Sequence, residues 1–339
     1  MRIAVDAMGG DRGPQVVAQG VVQAAHESQA HYLLVGDPAL LEPELKRHSA
    51  KNIEIVPARE VIEMTDQPTA AFRNKKDASI VVGTKLVKDK KADALVSIGN
   101  TGAAMAVSLL TLGRIRGVDR PAIATLLPSS KGTVVLLDAG ATVDCDPNNL
   151  HEFAVMGSVF SALTLGVKMP KIGLLSNGEE SSKGNDTVKK THALFLQAQE
   201  SDKNFNFIGN VEGRDIFRGT ADVIVCDGFV GNVVLKASEG VAEMIRNLLK
   251  SELESKLWMK PFLVPIAPAI KRMMRKVDYS ERGGAPLLGV NGVIIIGHGR
   301  SDAYAVMNAC RAAERAVQSN LIETIRLRVC DSPDLPPVS

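Results

Sequence analysis

Short β-branched runs alternate with longer helical patterns along almost the whole chain, and this alternation limits the fold more than any other feature. Strand-like runs cover Arg2–Asp6, His31–Val35, Ile53–Val56, Ala94–Ile98 and Ile123–Leu127. Others follow at Val134–Leu137, Lys171–Leu175, Asp222–Cys226 and Val293–Ile296. Between them lie helical stretches such as Pro14–His26, Ala78–Lys90, Asn148–Leu165 and Val230–Lys250. Strands interleaved with helices in this way predict a mostly parallel α/β sheet covered by helices. At 339 residues the chain suits one large α/β unit or two lobes. No repeat or clear linker divides it, so residues 1–330 are read as a single two-lobed unit, with any lobe boundary near Leu137. Pro261, Pro265 and Pro268 interrupt the helical pattern in 257–284, the expected protruding segment. The Pro-rich end, 331–339, is expected to be a flexible tail.

Charge is balanced at 40 Lys+Arg against 38 Asp+Glu, and aromatic residues make up only 4 %, so neither a basic footprint nor a base-stacking platform for nucleic acid is present. Cys145, Cys226, Cys310 and Cys330 have no CxxC spacing, which argues against a closed zinc site and for reduced thiols in the cytoplasm. The first apolar run ends at Asp6, too soon for a signal peptide. No stretch approaches the roughly 20 apolar residues that a spanning helix needs. A cytoplasmic protein is expected, with peripheral contact at the inner face of the cell membrane left open.

Six expected strands end in loops rich in Gly and polar residues: DAMGGD after Val5, GNTGA after Ile98, DAGA after Leu137, SNGEESSKGN after Leu175, DGFVGN after Cys226 and GHGRSD after Ile296. Ligands of parallel sheets bind beyond the C-terminal strand ends, so these loops predict one composite site. Asn100, Thr101 and Gly102 read equally as a phosphate cradle at a helix start or as simple capping. Lys183 reads equally as an anion contact or a surface lysine. Asn232 is a candidate oxyanion donor or a local backbone partner. His298 is a candidate acid/base or anion contact, or an exposed loop residue. Asp6 and Asp11 steer a ligand hydroxyl or cap the next helix. Positions 230, 233, 234, 237, 241, 244, 245 and 248 are apolar at helical spacing and are read as core.

Several signatures are missing. There is no GxxxxGK[ST], no GxGxxG, no HExxH (His151-Glu152 is followed by Val155) and no GxSxG around Ser176. Lys256–Lys276 joins Trp258, Phe262 and Leu263 to Lys256, Lys271, Arg272 and Arg275. Such interleaving suits an anionic membrane surface, a buried subunit contact or an acidic partner.

Taken in order, DAMGGD (6–11), GNTGA (99–103), SNGEESSKGN (176–185), ADVIVCDGFVGNVVLK (221–236) and GGAPLLGVNG with GHGRS (283–301) resemble the bacterial phosphate acyltransferases of phospholipid synthesis. The resemblance runs from Arg2 to about Ser319. Thr142 is a departure, standing where that family is expected to carry Asn. The resemblance implies a three-layer αβα sandwich like phosphotransacetylases and the isocitrate/isopropylmalate dehydrogenases, and a homodimer. It implies conversion of acyl–acyl carrier protein and inorganic phosphate to acyl phosphate and free carrier, with no metal and no organic cofactor. It also implies delivery of acyl phosphate to a membrane-embedded glycerol-3-phosphate acyltransferase. On this reading Lys183, Asn232 and His298 are catalytic, Asn100, Thr101 and Gly102 hold phosphate, and Asp6 and Asp227 orient the donors or Lys183. The rivals are a phosphotransacetylase acting on acyl-coenzyme A, a dehydrogenase on the same fold and a non-catalytic carrier-protein scaffold at the membrane.

Overall fold

The computed structural model describes residues 1–48, 52–63, 65–255 and 283–331. Lys256, Trp258, Phe262, Leu263, Lys271, Arg272 and Arg275 lie outside the described residues, as do 332–339 and all of the expected protruding segment except Gly283 and Gly284.

The elements in chain order are β1 (Arg2–Asp6), α1 (Pro14–Glu27), β2 (His31–Gly36), α2 (Pro38–Lys46), β3 (Ile53–Pro57), α3 (Pro68–Asn74), α4 (Ser79–Lys88), β4 (Ala94–Ile98) and α5 (Thr101–Leu112). Then come β5 (Ala122–Ile123), β6 (Thr125–Ser129), β7 (Gly132–Leu137), α6 (Pro147–Leu165), β8 (Ile172–Leu175), α7 (Asp186–Ser201), β9 (Phe207–Val211), α8 (Gly213–Arg218) and β10 (Val223–Val225). The long α9 (Gly228–Ser255), β11 (Ala285–Leu288), β12 (Val293–Gly297), α10 (Ala303–Gln318) and α11 (Leu321–Asp331) complete the described chain.

The strands form two sheets, ordered β3-β2-β1-β4-β12-β11-β5 and β6-β7-β10-β8-β9. Within the first, β3 through β12 run parallel; within the second, β7 through β9 do; β11, β5 and β6 join by antiparallel pairing. Side chains alternate between faces along each strand. Ile3 and Val5 therefore pack with Val17 and Val21 of α1 and Val306 of α10, whereas Ala4 packs with Val81 of α4 and Ala104 of α5. The second sheet repeats the scheme. Leu137, Val225 and Phe153 share the cluster that holds Val5, while Leu136, Ile224 and Ile216 form another on the far face. Each sheet is thus the middle of three layers, as expected, and one apolar cluster runs continuously across both.

Two strand expectations change. Ile123–Leu127 looks like one strand, but β5 pairs with β11 in the first sheet and β6 with β7 in the second. The switch falls at Ala124, whose N–H donates to Pro286 O at 3.0 Å. Nothing in a uniformly apolar run marks such a switch. The sequence reading also passed over β9, diluted by Gly209 and Asn210, and β11, which carries Pro286.

The core assignment for α9 is corrected. Of the positions read as core, Val234 packs inward, with Leu235 beside it, but Val230, Val233, Val241, Met244, Ile245 and Leu248 are 38–58 % exposed. Helical spacing shows that these positions share a face; it does not say what covers that face. Among the described residues no helix is long and apolar enough to cross a membrane.

Candidate active site

Parallel pairing sets the strand ends side by side. Asp6 stands opposite Ser97, and Gly297 opposite Ile98. The loops after β1, β4 and β12 therefore meet. Asp11 N donates to Gly299 O at 2.7 Å, and a Cβ on Gly9 would collide with Ile98 O. Gly is needed there because two backbones touch. Asp6 is buried, accepting from Ser79 Oγ at 2.6 Å, Ser97 Oγ at 3.0 Å and Met8 N at 3.3 Å. Burial pushes its carboxyl above the usual range against the pull of those donors. These bonds tie α4, β4 and the DAMGGD loop together. They do not run to Lys183 or to the expected oxyanion donors.

Asn100 caps α5 by accepting from Ala103 N at 3.0 Å. Thr101 and Gly102 occupy the first turn, where backbone N–H groups have no acceptor inside the helix. His298 is exposed, and its Nδ1 accepts from Arg300 N at 3.2 Å, which puts the proton of the neutral ring on Nε2.

The second group of loops closes over β7, β8 and β10. Asp138 is buried and accepts from Ile123 N at 2.8 Å, Gly140 N at 3.1 Å, Ala141 N at 2.9 Å and Thr142 N at 2.6 Å. Burial pushes its carboxyl up while these N–H groups pull it down. The departure at Thr142 is structural in setting: its hydroxyl donates to Pro121 O at 3.0 Å, and its carbonyl accepts from Gly228 N at 2.8 Å. Asp227 is half-buried and caps α9, accepting from Val230 N at 2.8 Å. A Cβ on Gly231 would collide with Asp138 O, so only glycine lets α9 seat this closely. Asn232 then lies against Gly140: a Cβ placed there would be 3.4 Å from Asn232 Cγ. Lys183 is exposed, with its aliphatic stem over Gly178.

A cavity of about 500 Å³ opens among these loops. Leu150, Leu174, Leu175 and Val188 contribute apolar wall; Asn177, Asn185, Asp144 and Asp227 contribute polar wall. Cys145 and Cys226 also line it. Burial pushes the Cys145 thiol up to about 12 and the Cys226 thiol well above its usual value, so both remain protonated at neutral pH.

The two groups meet where Ala103 and Ala104 of α5 share an apolar cluster with Ala139, Ala141 and Leu235 of α9. This shared packing forms a junction between the two sheets. Among the described residues no three His, Cys, Asp or Glu side chains gather as metal ligands. Sequence reasoning missed Asp138, Asn177 and Asn185. Asp138 had a signal, since DAGA follows a strand like the other loops; the asparagines were overshadowed by Lys183 in the same loop.

Residues 1–324 match the family model described as "Fatty acid synthesis protein". The chain is 51 % identical over 329 residues to the phosphate acyltransferase of Heliobacterium modesticaldum, covering 96 % of this chain and 97 % of that one. It is 52 % identical over 328 residues to the phosphate acyltransferase of Pelotomaculum thermopropionicum, covering 96 % and 94 %. A phosphotransacetylase from Streptococcus pyogenes has the same fold, with a TM-score of 0.63 at 16 % identity over 94 % of each chain. The strand-end loops and the three-layer sheets are accordingly those of an acyltransferase enzyme, and the chain belongs to the phosphate acyltransferase family.

Proposed function

We propose that the protein transfers the acyl group of acyl–acyl carrier protein to inorganic phosphate by direct attack, releasing acyl phosphate and free carrier. The observation that carries this reading is the meeting of the loops after β1, β4 and β12 beside the first turn of α5. Phosphate lies in the first turn of α5, against Asn100, Thr101 and Gly102, where N–H groups and the positive helix end favour an anion. A phosphate oxygen attacks the thioester carbonyl carbon. Holding the two together supplies up to ~7–11 kcal/mol of the barrier. Asn232 donates to the oxyanion, an interaction worth ~3–4 kcal/mol. Lys183 orients phosphate and offsets the developing charge. His298 assists through Nε2–H. Asp227 holds the start of α9, and so Asn232, in place; Asp6 holds the opposite loops. The intermediate collapses with the C–S bond pair leaving on sulfur. A thiol of pKa ~8.5 needs no strong acid to depart. The protonated state of Cys145 and Cys226 supports a path without an enzyme thioester.

The exposed apolar stripe of α9 supports a homodimer. The basic, apolar 256–276 segment supports contact with an anionic membrane, where a membrane-embedded glycerol-3-phosphate acyltransferase consumes the labile product.

The test is to mix purified protein with a long-chain acyl–acyl carrier protein and phosphate, with and without a chelator, and to follow free thiol and acyl phosphate. The expected outcome is phosphate-dependent acyl phosphate, unaffected by the chelator. Turnover confined to acyl-coenzyme A would assign the phosphotransacetylase reaction instead. Carrier binding without turnover would leave only a scaffold.

A further inference from the structure

The cavity of about 500 Å³ is lined by two amides that the reaction above does not use, those of Asn177 and Asn185, beside the carboxylate of Asp227. Asn177 Oδ1 accepts from Gly184 N at 2.8 Å, and Asn185 Oδ1 accepts from Val188 N at 2.9 Å. Each amide is thereby fixed in orientation, its oxygen committed to the loop and its Nδ2 turned to donate elsewhere. Asp227 is tied in the same manner: Oδ1 takes Val230 N, which leaves Oδ2 to accept. All three residues line the cavity, beside Leu174, Leu175 and Val188.

The occupant follows from this wall. Phosphate is disfavoured, because Asp144 and Asp227 place two carboxylates on it. A bare hydrocarbon chain is disfavoured too, since it would dehydrate two amide donors and a carboxylate without replacing their bonds. A neutral chain in which amides alternate with short methylene runs satisfies both kinds of surface. The size lies within the usual range for small-molecule pockets, roughly 300–1,000 Å³. A pantetheine arm, by which a carrier holds its thioester, has this chemistry.

We propose that this cavity holds the amide-bearing arm of the thioester donor, with Asn177 and Asn185 donating to its carbonyls and Asp227 accepting from an amide N–H. The inference rests on the thioester donor proposed above and adds where its arm lies. Phosphate and donor then approach the junction from different sheets.

Two substitutions remove the donors while keeping the loop bonds. Asn185→Ser retains a cap for Val188 N, and Asn177→Asp retains an acceptor for Gly184 N. The experiment compares kcat/KM on two donors with the same acyl group, S-acyl pantetheine and S-acyl ethanethiol, and titrates pantetheine itself by calorimetry. Each substitution is expected to shrink the preference for the pantetheine donor by about 3- to 10-fold and to weaken pantetheine binding by a similar factor, as one lost neutral hydrogen bond dictates. Equal losses on both donors, or unchanged pantetheine binding, would overturn the proposal. So would a loss that follows acyl length rather than the arm, which would give the cavity to the acyl chain. If wild-type protein makes no acyl phosphate from any donor, the acyl-transfer reading fails by itself, and the titration still decides the occupant.

Discussion

Lys183 is exposed, its stem lying over Gly178 of its own loop, so its removal separates chemistry from folding. Lys183→Ala is expected to lower kcat by ~10²–10³, the scale of one lost electrostatic contact in a transition state, with an unchanged melting temperature. Lys183→Arg should recover part of the rate. Near-normal turnover in the alanine variant would remove Lys183 from the mechanism. His151 carries a different prediction. Burial beside Phe195 and Phe205 pulls its pKa down to about 4, against a small upward pull from Asp202. Its folded value lies below the unfolded one of ~6.5, so its contribution is complete above that pH and is lost as pH falls toward about 4. The loss amounts to roughly 3 kcal/mol at most. Urea unfolding at pH 7.5 and 4.5 should show His151→Phe less acid-sensitive than wild type. Glu152 slopes the other way: burial pushes it up to about 7, so its contribution is complete below ~4.5 and is lost as pH rises from there through about 7. Glu152→Gln should therefore gain on wild type above pH 7. Residue chemistry was legible in the sequence where a loop had a distinctive type, as with Lys183 or His298. Asp138 was marked by the DAGA loop after its strand; Asn177 and Asn185 were hidden, since their part depends on which backbone N–H groups the fold turns toward them.

The seating of α9 rests on contacts with one loop. Gly231→Ala drives a methyl into Asp138 O, so the helix start must shift and take Asn232 with it. The expected cost is more than about 2 kcal/mol of stability, with most of the activity lost. Gly240, on the same helix, has nothing within 4 Å of the added methyl. Gly240→Ala should stabilise by about 0.5–1 kcal/mol and leave turnover alone. Thermal unfolding of the two variants side by side checks both signs. Elements were readable wherever periodicity and strand-end glycines coincided, as at β1, β4, β7 and β10. They were unreadable at β5 and β6, because a partner strand, not the local pattern, decides to which sheet Ile123 and Thr125 belong.

At the scale of the molecule, the exposed face of α9 is the feature that a single chain leaves unexplained. Replacing Met244 and Leu248 together with Glu is expected to halve the sedimenting mass from twice that of the chain to once, with little effect on the melting of the monomer, since both side chains are solvated there. A monomeric wild type would dismiss the dimer. The order of the strands has a further consequence, for biosynthesis. The second sheet draws its strands from one stretch, 125–225, whereas β4 at the centre of the first waits for β12, and α1 waits for α10. The first sheet thus begins to emerge earlier, but the strands of the second are complete first. Until residue 297 has emerged, the open edge of Ala94–Ile98 and the apolar side of Pro14–Glu27 travel uncovered, a load for chaperones that ends only when the last strand is threaded into a sheet begun almost three hundred residues earlier.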